Sequence, residues 1–156
     1  MKFQEFVPID KFVYGNGSRE TRIKFYFQGI SHFGLGLLSQ PAEPNTLDPI
    51  LNFQISCEPN TQNERSYIYL NTAETKHCAS KGFRNPMNNI YFTEIEIVIN
   101  KEFGLVAAFL PESGSTPFLS CQGPEISAMI SKVKYIGLTG RNENVVRYIY
   151  DCPEKF

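Results

Sequence analysis

Strict alternation in the segment Arg22-Ile23-Lys24-Phe25-Tyr26-Phe27-Gln28 constrains this chain more than any other feature. Successive side chains of a strand point to opposite faces, so Ile23, Phe25 and Phe27 share one face while Arg22, Lys24, Tyr26 and Gln28 share the other. A helix would scatter the same apolar groups around its axis, so the segment is expected to be a half-buried strand. The stretch from Phe92 to Ile99 follows the same rule, with Ile95, Ile97 and Ile99 turned inward and Glu94 and Glu96 facing water.

Further strands are expected at Phe33 to Leu38, Ile50 to Cys57, Ser66 to Leu70, Phe103 to Phe109, Val133 to Leu138 and Val145 to Tyr150. Each is rich in β-branched, aromatic or other apolar residues. The intervening segments carry turn chemistry: prolines from Gln40 to Pro49, polar residues from Glu58 to Asn63, and glycine, serine and proline from Pro111 to Pro117. Gly140 to Asn144 is expected to join the last two strands as a hairpin. Only Pro124 to Ser131 has helical spacing, with Pro124 early and Ile126, Met129 and Ile130 on one face. The fold class is therefore all-β, an antiparallel β-sandwich of jelly-roll or lectin-like type with about eight to ten strands and at most one short helix near 124–131. A length of 156 residues suits one domain, 1–156, with a core of its own.

Fifteen basic against sixteen acidic residues leave a formal charge of -1, and no Lys/Arg cluster forms a phosphate-binding stripe. Nucleic acid is excluded as a partner on that ground, and so is a polybasic membrane anchor. No apolar run approaches the roughly 20 residues of a membrane helix, so membrane insertion is not expected.

The four cysteines, Cys57, Cys78, Cys121 and Cys152, are widely spaced, without a C-x-x-C pair or zinc-finger histidines. Disulfides fit that pattern better than a metal. The simplest pairing joins Cys57 to Cys78 and Cys121 to Cys152; pairings of Cys57 with Cys121 or Cys152 remain open. The even cysteine count, the sequon Asn16-Gly17-Ser18 and the Tyr- and Phe-rich strands point to a secreted glycoprotein, glycosylated at Asn16. Met1 to Val7 has no apolar leader core, so Met1 is expected to stand where a leader has been removed.

From Phe25 to Tyr150 the order of features resembles the farnesoic acid O-methyltransferase domain, a β-sandwich module common in arthropod proteins. Ser31-His32-Phe33-Gly34-Leu35-Gly36-Leu37-Leu38-Ser39 is similar to that family's "daH-x-x-Ls" segment. Phe103-Gly104-Leu105-Val106-Ala107-Ala108 is similar to its "g-x-I-x-v-G" strand. Thr116-Pro117-Phe118-Leu119 matches its "x-P-F" step, and Val133-Lys134-Tyr135-Ile136-Gly137-Leu138-Thr139-Gly140 its "v-x-y-v-G-x-x-t-g" strand. The family usually places Trp in its middle and last strands, and this chain has none.

The resemblance implies a sandwich that recognises a ligand such as a glycan, with His32 at a position where the family often carries histidine. Methyl transfer is not expected. A methyltransferase using S-adenosylmethionine usually needs a glycine-rich turn between a parallel strand and a helix, whereas Gly15 and Gly17 precede a strand and Gly34 and Gly36 lie within one. No cofactor and no metal are expected, and the chain is read as not an enzyme.

Galectins and other lectin-like jelly rolls offer a weaker similarity, through the consecutive strands Phe92 to Ile99 and Phe103 to Phe109. A galectin stacks its sugar on tryptophan; here Tyr67, Tyr69 or Tyr91 would have to take that place. Arg65, Arg84, Asn85 and Asn89, in polar stretches suited to reading sugar hydroxyls, complete the candidate ligand site. The same asparagines also suit turns, and His32 also suits a hydrogen-bonded structural role.

Glu94 and Glu96 share one face with Cα atoms roughly 6.5 Å apart, at the lower edge of the range for inverting glycosidases. Glu94-Ile95-Glu96 is similar to the E-x-D-x-x-E strand of sandwich-fold glucanases, but Ile99 stands where the third carboxylate would be. The expected function is thus a secreted recognition module for a glycan or an extracellular protein. The rival readings are a carrier of a lipid or terpenoid and a glycoside hydrolase using Glu94 and Glu96.

Overall fold

The structure is a computed structural model, and it describes residues 5–12, 20–29, 33–42, 51–55, 66–70, 75–80, 90–140 and 147–150. Its strands form two antiparallel sheets. The six-stranded sheet runs β1 (Glu5–Pro8), β10 (Tyr135–Gly140), β3 (Phe33–Leu38), β4 (Leu51–Ile55), β5 (Tyr67–Leu70) and β6 (Thr75–Ala79). The five-stranded sheet runs β11 (Arg147–Tyr150), β2 (Glu20–Gln28), β7 (Thr93–Asn100), β8 (Leu105–Phe109) and β9 (Leu119–Gln122).

The alternation read from the sequence sets which face each strand buries. Ile23, Phe25 and Phe27 of β2 are at most 1% exposed, as are Ile95, Ile97 and Ile99 of β7. They meet Phe33, Leu35 and Leu37 of β3 and Leu51, Phe53 and Ile55 of β4 in one core. Phe27 and Phe33 touch across the sheets with ring centroids 3.7 Å apart. Burying side chains of this size stabilises by about 1.5–3 kcal/mol each before entropy is counted.

The one α-helix among the described residues, α1 (Pro124–Ile130), stands where its apolar spacing put it. Pro124 begins the helix, Ile126 and Ile130 are buried, and Met129 packs against the core. The turn joining β7 to β8 is fixed partly by Asn100, whose Oδ1 accepts from the Phe103 N–H at 3.0 Å, so β8 starts at Leu105 and not at Phe103. Gly104 in that turn has φ +60°, and a Cβ there would lie 2.8 Å from the Ser127 Cβ. Only glycine tolerates both conditions.

Two expectations are corrected by the topology. The last two strands do not form a hairpin: β10 lies between β1 and β3, so both its edges are taken, and β11 instead pairs with β2 in the other sheet. Cys78 is bonded to Cys121 and not to Cys57, with Cα atoms 5.7 Å apart. Cys78 pairs in register with inward-facing Ile68 and Cys121 with inward-facing Val106, and each sits on an edge strand where the two sheets meet. Cys57 and Cys152, whose pairing was one of the open alternatives, lie outside the described residues. Eleven strands are described, because the short β1, β6 and β9 add to those the sequence predicts.

Candidate functional site

The outward face of the five-stranded sheet is built by the half of the alternation that the core does not use. Register pairs Tyr26 with Glu94, Lys24 with Glu96, Arg22 with Val98 and Glu20 with Asn100. One strand thus presents two cations where its neighbour presents two carboxylates. They meet diagonally: Arg22 Nη1 donates to Glu96 Oε1 at 2.6 Å, and Lys24 Nζ lies 3.7 Å from Glu94 Oε1. Tyr26 Oη donates to the same Glu94 oxygen at 3.4 Å.

The network continues along β2. Arg22 Nε donates to Glu20 Oε1 at 2.5 Å, and Asn100 Nδ2 donates to Glu20 Oε2 at 3.2 Å. Hydrogen bonding to Glu20, outweighing partial desolvation and aided by Glu96, raises the pKa of Arg22 further above its ordinary value, so the guanidinium is a permanent cation. The pairs are only partly withdrawn from water, which limits what they add to stability to about 0–1 kcal/mol each. Their value lies in orientation: each holds donors and acceptors in fixed places on an accessible surface.

Beside this ladder lies a pocket of about 200 Å³ lined by Lys24, Glu94, Glu96, Phe109, Leu110, Pro111 and Gly114. Strand pairing makes it: Glu96 stands opposite Phe109 in register, and a 3-10 turn at Pro111–Ser113 follows directly and forms the wall. The pocket is smaller than the ~300–1,000 Å³ of sites for drug-sized ligands, so it suits one ring-sized group. Its chemistry combines two carboxylate acceptors, an ammonium donor and an aromatic surface.

Of the residues the sequence singles out, Glu94 and Glu96 fall in this pocket. Tyr67 and Tyr69 stand on β5, in the other sheet, with ring centroids 5.9 Å apart. Tyr91 precedes β7 and is 71% exposed. Asn16, His32, Arg65, Arg84, Asn85 and Asn89 lie outside the described residues. Arg22, Lys24 and Phe109 were not among the candidates. The signal that could have found them is charge of opposite sign at alternate positions of two strands, Arg22 and Lys24 on one and Glu94 and Glu96 on the other. Among the described residues no three of His, Cys, Asp and Glu are placed to hold a metal ion.

The family model for farnesoic acid O-methyl transferase matches residues 3–154, and the chain belongs to that family. No curated protein matches the chain. The family match overturns the expectation that the chain is not an enzyme, since the family is named as a methyltransferase and the match spans nearly the whole sequence. That expectation rested on the lack of one kind of cofactor turn, and such a lack argues against one way of binding a cofactor, not against catalysis. S-adenosylmethionine, which the name implies, does not fit the described residues through such a turn. The pairings within both sheets are antiparallel, α1 has seven residues, and the junction of β9 with α1 carries a single glycine, Gly123, so the described residues hold no glycine-rich turn between a parallel strand and a helix.

Proposed function

We propose that this member of the farnesoic acid O-methyltransferase family is an extracellular domain that recognises a glycan on the outward face of its five-stranded sheet. The observation that carries the reading is the pocket over Lys24, Glu94 and Glu96 with Phe109 at its side. Carboxylates accept from sugar hydroxyls, an ammonium donates to them, and an aromatic ring packs against the apolar C–H face of a sugar. Because the charges are already paired with one another, a charged ligand would have to displace an ion pair. A neutral polyhydroxylated ligand can bridge both partners and leave the pair intact.

The packed interior supports this reading over that of an apolar-ligand carrier. Phe25, Phe27, Phe33 and Phe53 fill the space between the sheets, each at most 1% exposed, while the described pocket opens outward. The Cys78–Cys121 bond suits an oxidising compartment, and no helix of the described residues is long and apolar enough to cross a membrane. Recognition here is a statement about binding and is compatible with chemistry on the bound ligand. One observation favours such chemistry as a second reading: Glu94 and Glu96 line the same pocket, as the carboxylate pair of a glycoside hydrolase would. Against it, Oε1 of Glu96 accepts from Arg22 and Oε1 of Glu94 from Tyr26, which suits acceptors better than a proton donor.

A glycan array probed with the oxidised protein tests the proposal. Specific retention that is lost in both Lys24→Ala and Glu96→Gln is the expected result. A blank array overturns it and leaves an extracellular protein as the partner to seek. Chromatography of a retained glycan after incubation separates the two readings, since shortened products that vanish in Glu94→Gln and Glu96→Gln would establish hydrolysis.

A further inference from the structure

We infer that the glycan is an extended chain, lying along β2 with at least two sugar units from the pocket to Glu20; this rests on the glycan reading above. The pocket accounts for only one end of the polar surface. Glu96 belongs to both parts, because it lines the pocket and its Oε1 also accepts from Arg22 at 2.6 Å. From Arg22 the network passes to Glu20 on the next outward row of the sheet and then across that row to Asn100.

Alternate residues of a strand are spaced by about 6.6 Å, so Lys24 and Glu20 are about 13 Å apart along β2. That span exceeds one pyranose ring. The groups along it remain accessible although paired: the side chains of Lys24, Arg22, Glu20 and Glu96 are 48%, 54%, 36% and 24% exposed. Its bonds to Glu20 and Glu96 engage two of the five guanidinium N–H donors of Arg22. A monosaccharide seated in the pocket would leave Glu20 untouched, whereas a chain of the same sugar following β2 reaches it; Asn100, only 9% exposed, holds Glu20 in place through its Nδ2.

Titration calorimetry of the oxidised protein with the glucose, N-acetylglucosamine and galactose series, each as β-1,4-linked mono- to tetrasaccharides, tests this inference. The affinity of the series that binds is expected to rise at least about tenfold from mono- to trisaccharide, the worth of one hydrogen bond to a charged group. Glu20→Gln is expected to remove most of that gain while lowering monosaccharide affinity less than about twofold. Equal affinity at every length overturns the extended ligand and leaves the pocket reading standing. So does a Glu20→Gln effect as large on the monosaccharide as on the trisaccharide. If no series binds and the array is blank, the glycan reading falls and takes the inference with it.

Discussion

The outward faces of β2 and β3, one strand from each sheet, differ although their inward faces obey one rule. On the five-stranded sheet β2 alternates buried and accessible positions along its length, and its accessible half carries the ion-pair ladder. On the six-stranded sheet every residue of β3 is buried, so Gly34, Gly36 and Leu38 are withdrawn from water although they alternate with the core residues Phe33, Leu35 and Leu37. Leu38 there forms a small cluster of its own with Phe6 and Tyr135. Alternation thus marks a strand with an accessible face, and an unbroken apolar run marks one without.

If both inward faces belong to one core, Phe25→Ala in the five-stranded sheet and Phe53→Ala in the six-stranded sheet should each cost about 3–5 kcal/mol. Urea denaturation of both variants measures this, and a much smaller loss in one would show that the sheets do not share the core equally. Replacing both Cys78 and Cys121 by serine removes a crosslink spanning 43 residues and should cost about 4 kcal/mol by the chain-entropy argument. The midpoint of thermal unfolding reports it.

The outward faces are separated by a third pair of variants. Leu38→Ala, outward but buried, should cost about 2–4 kcal/mol, while Lys24→Ala, outward and exposed, should change stability by no more than about 0.5 kcal/mol. Similar losses would erase the distinction. The smallest effect belongs to the ladder itself: a double-mutant cycle on Arg22 and Glu96 should give a coupling of about 0.2–1 kcal/mol that shrinks as salt is added.

Local patterning made β2, β3, β7 and α1 legible in the sequence, because each is long or regular enough for its own residues to declare its period. The short strands Glu5–Pro8, Thr75–Ala79 and Leu119–Gln122 were not legible. All three lie at sheet edges, where one neighbour supplies the pairing and a segment of four or five mixed residues shows no period. The misplaced hairpin has a related cause. Turn residues from Gly140 to Asn144 promise a reversal, but which sheet receives the next strand depends on which edge is still open, and that is settled far away in sequence.

The site was half legible for the same reason. Glu94 and Glu96 drew attention as a same-face pair on one strand, but Arg22 lies 74 residues from the Glu96 that it bonds. Only the register of β2 against β7 brings them together. The disulfide likewise joins residues that no local rule associates.

That disulfide also divides the molecule in time. Cys78 and Cys121 bind the edges β6 and β9 to each other, while β1 and β11, the first and last strands described, form the opposite edges of the two sheets. The sandwich is a book sewn along one side, and its covers carry the outermost strands. Among the described residues no disulfide holds β1 or β11, so amide hydrogen exchange is expected to run faster there than beside the stitched edge.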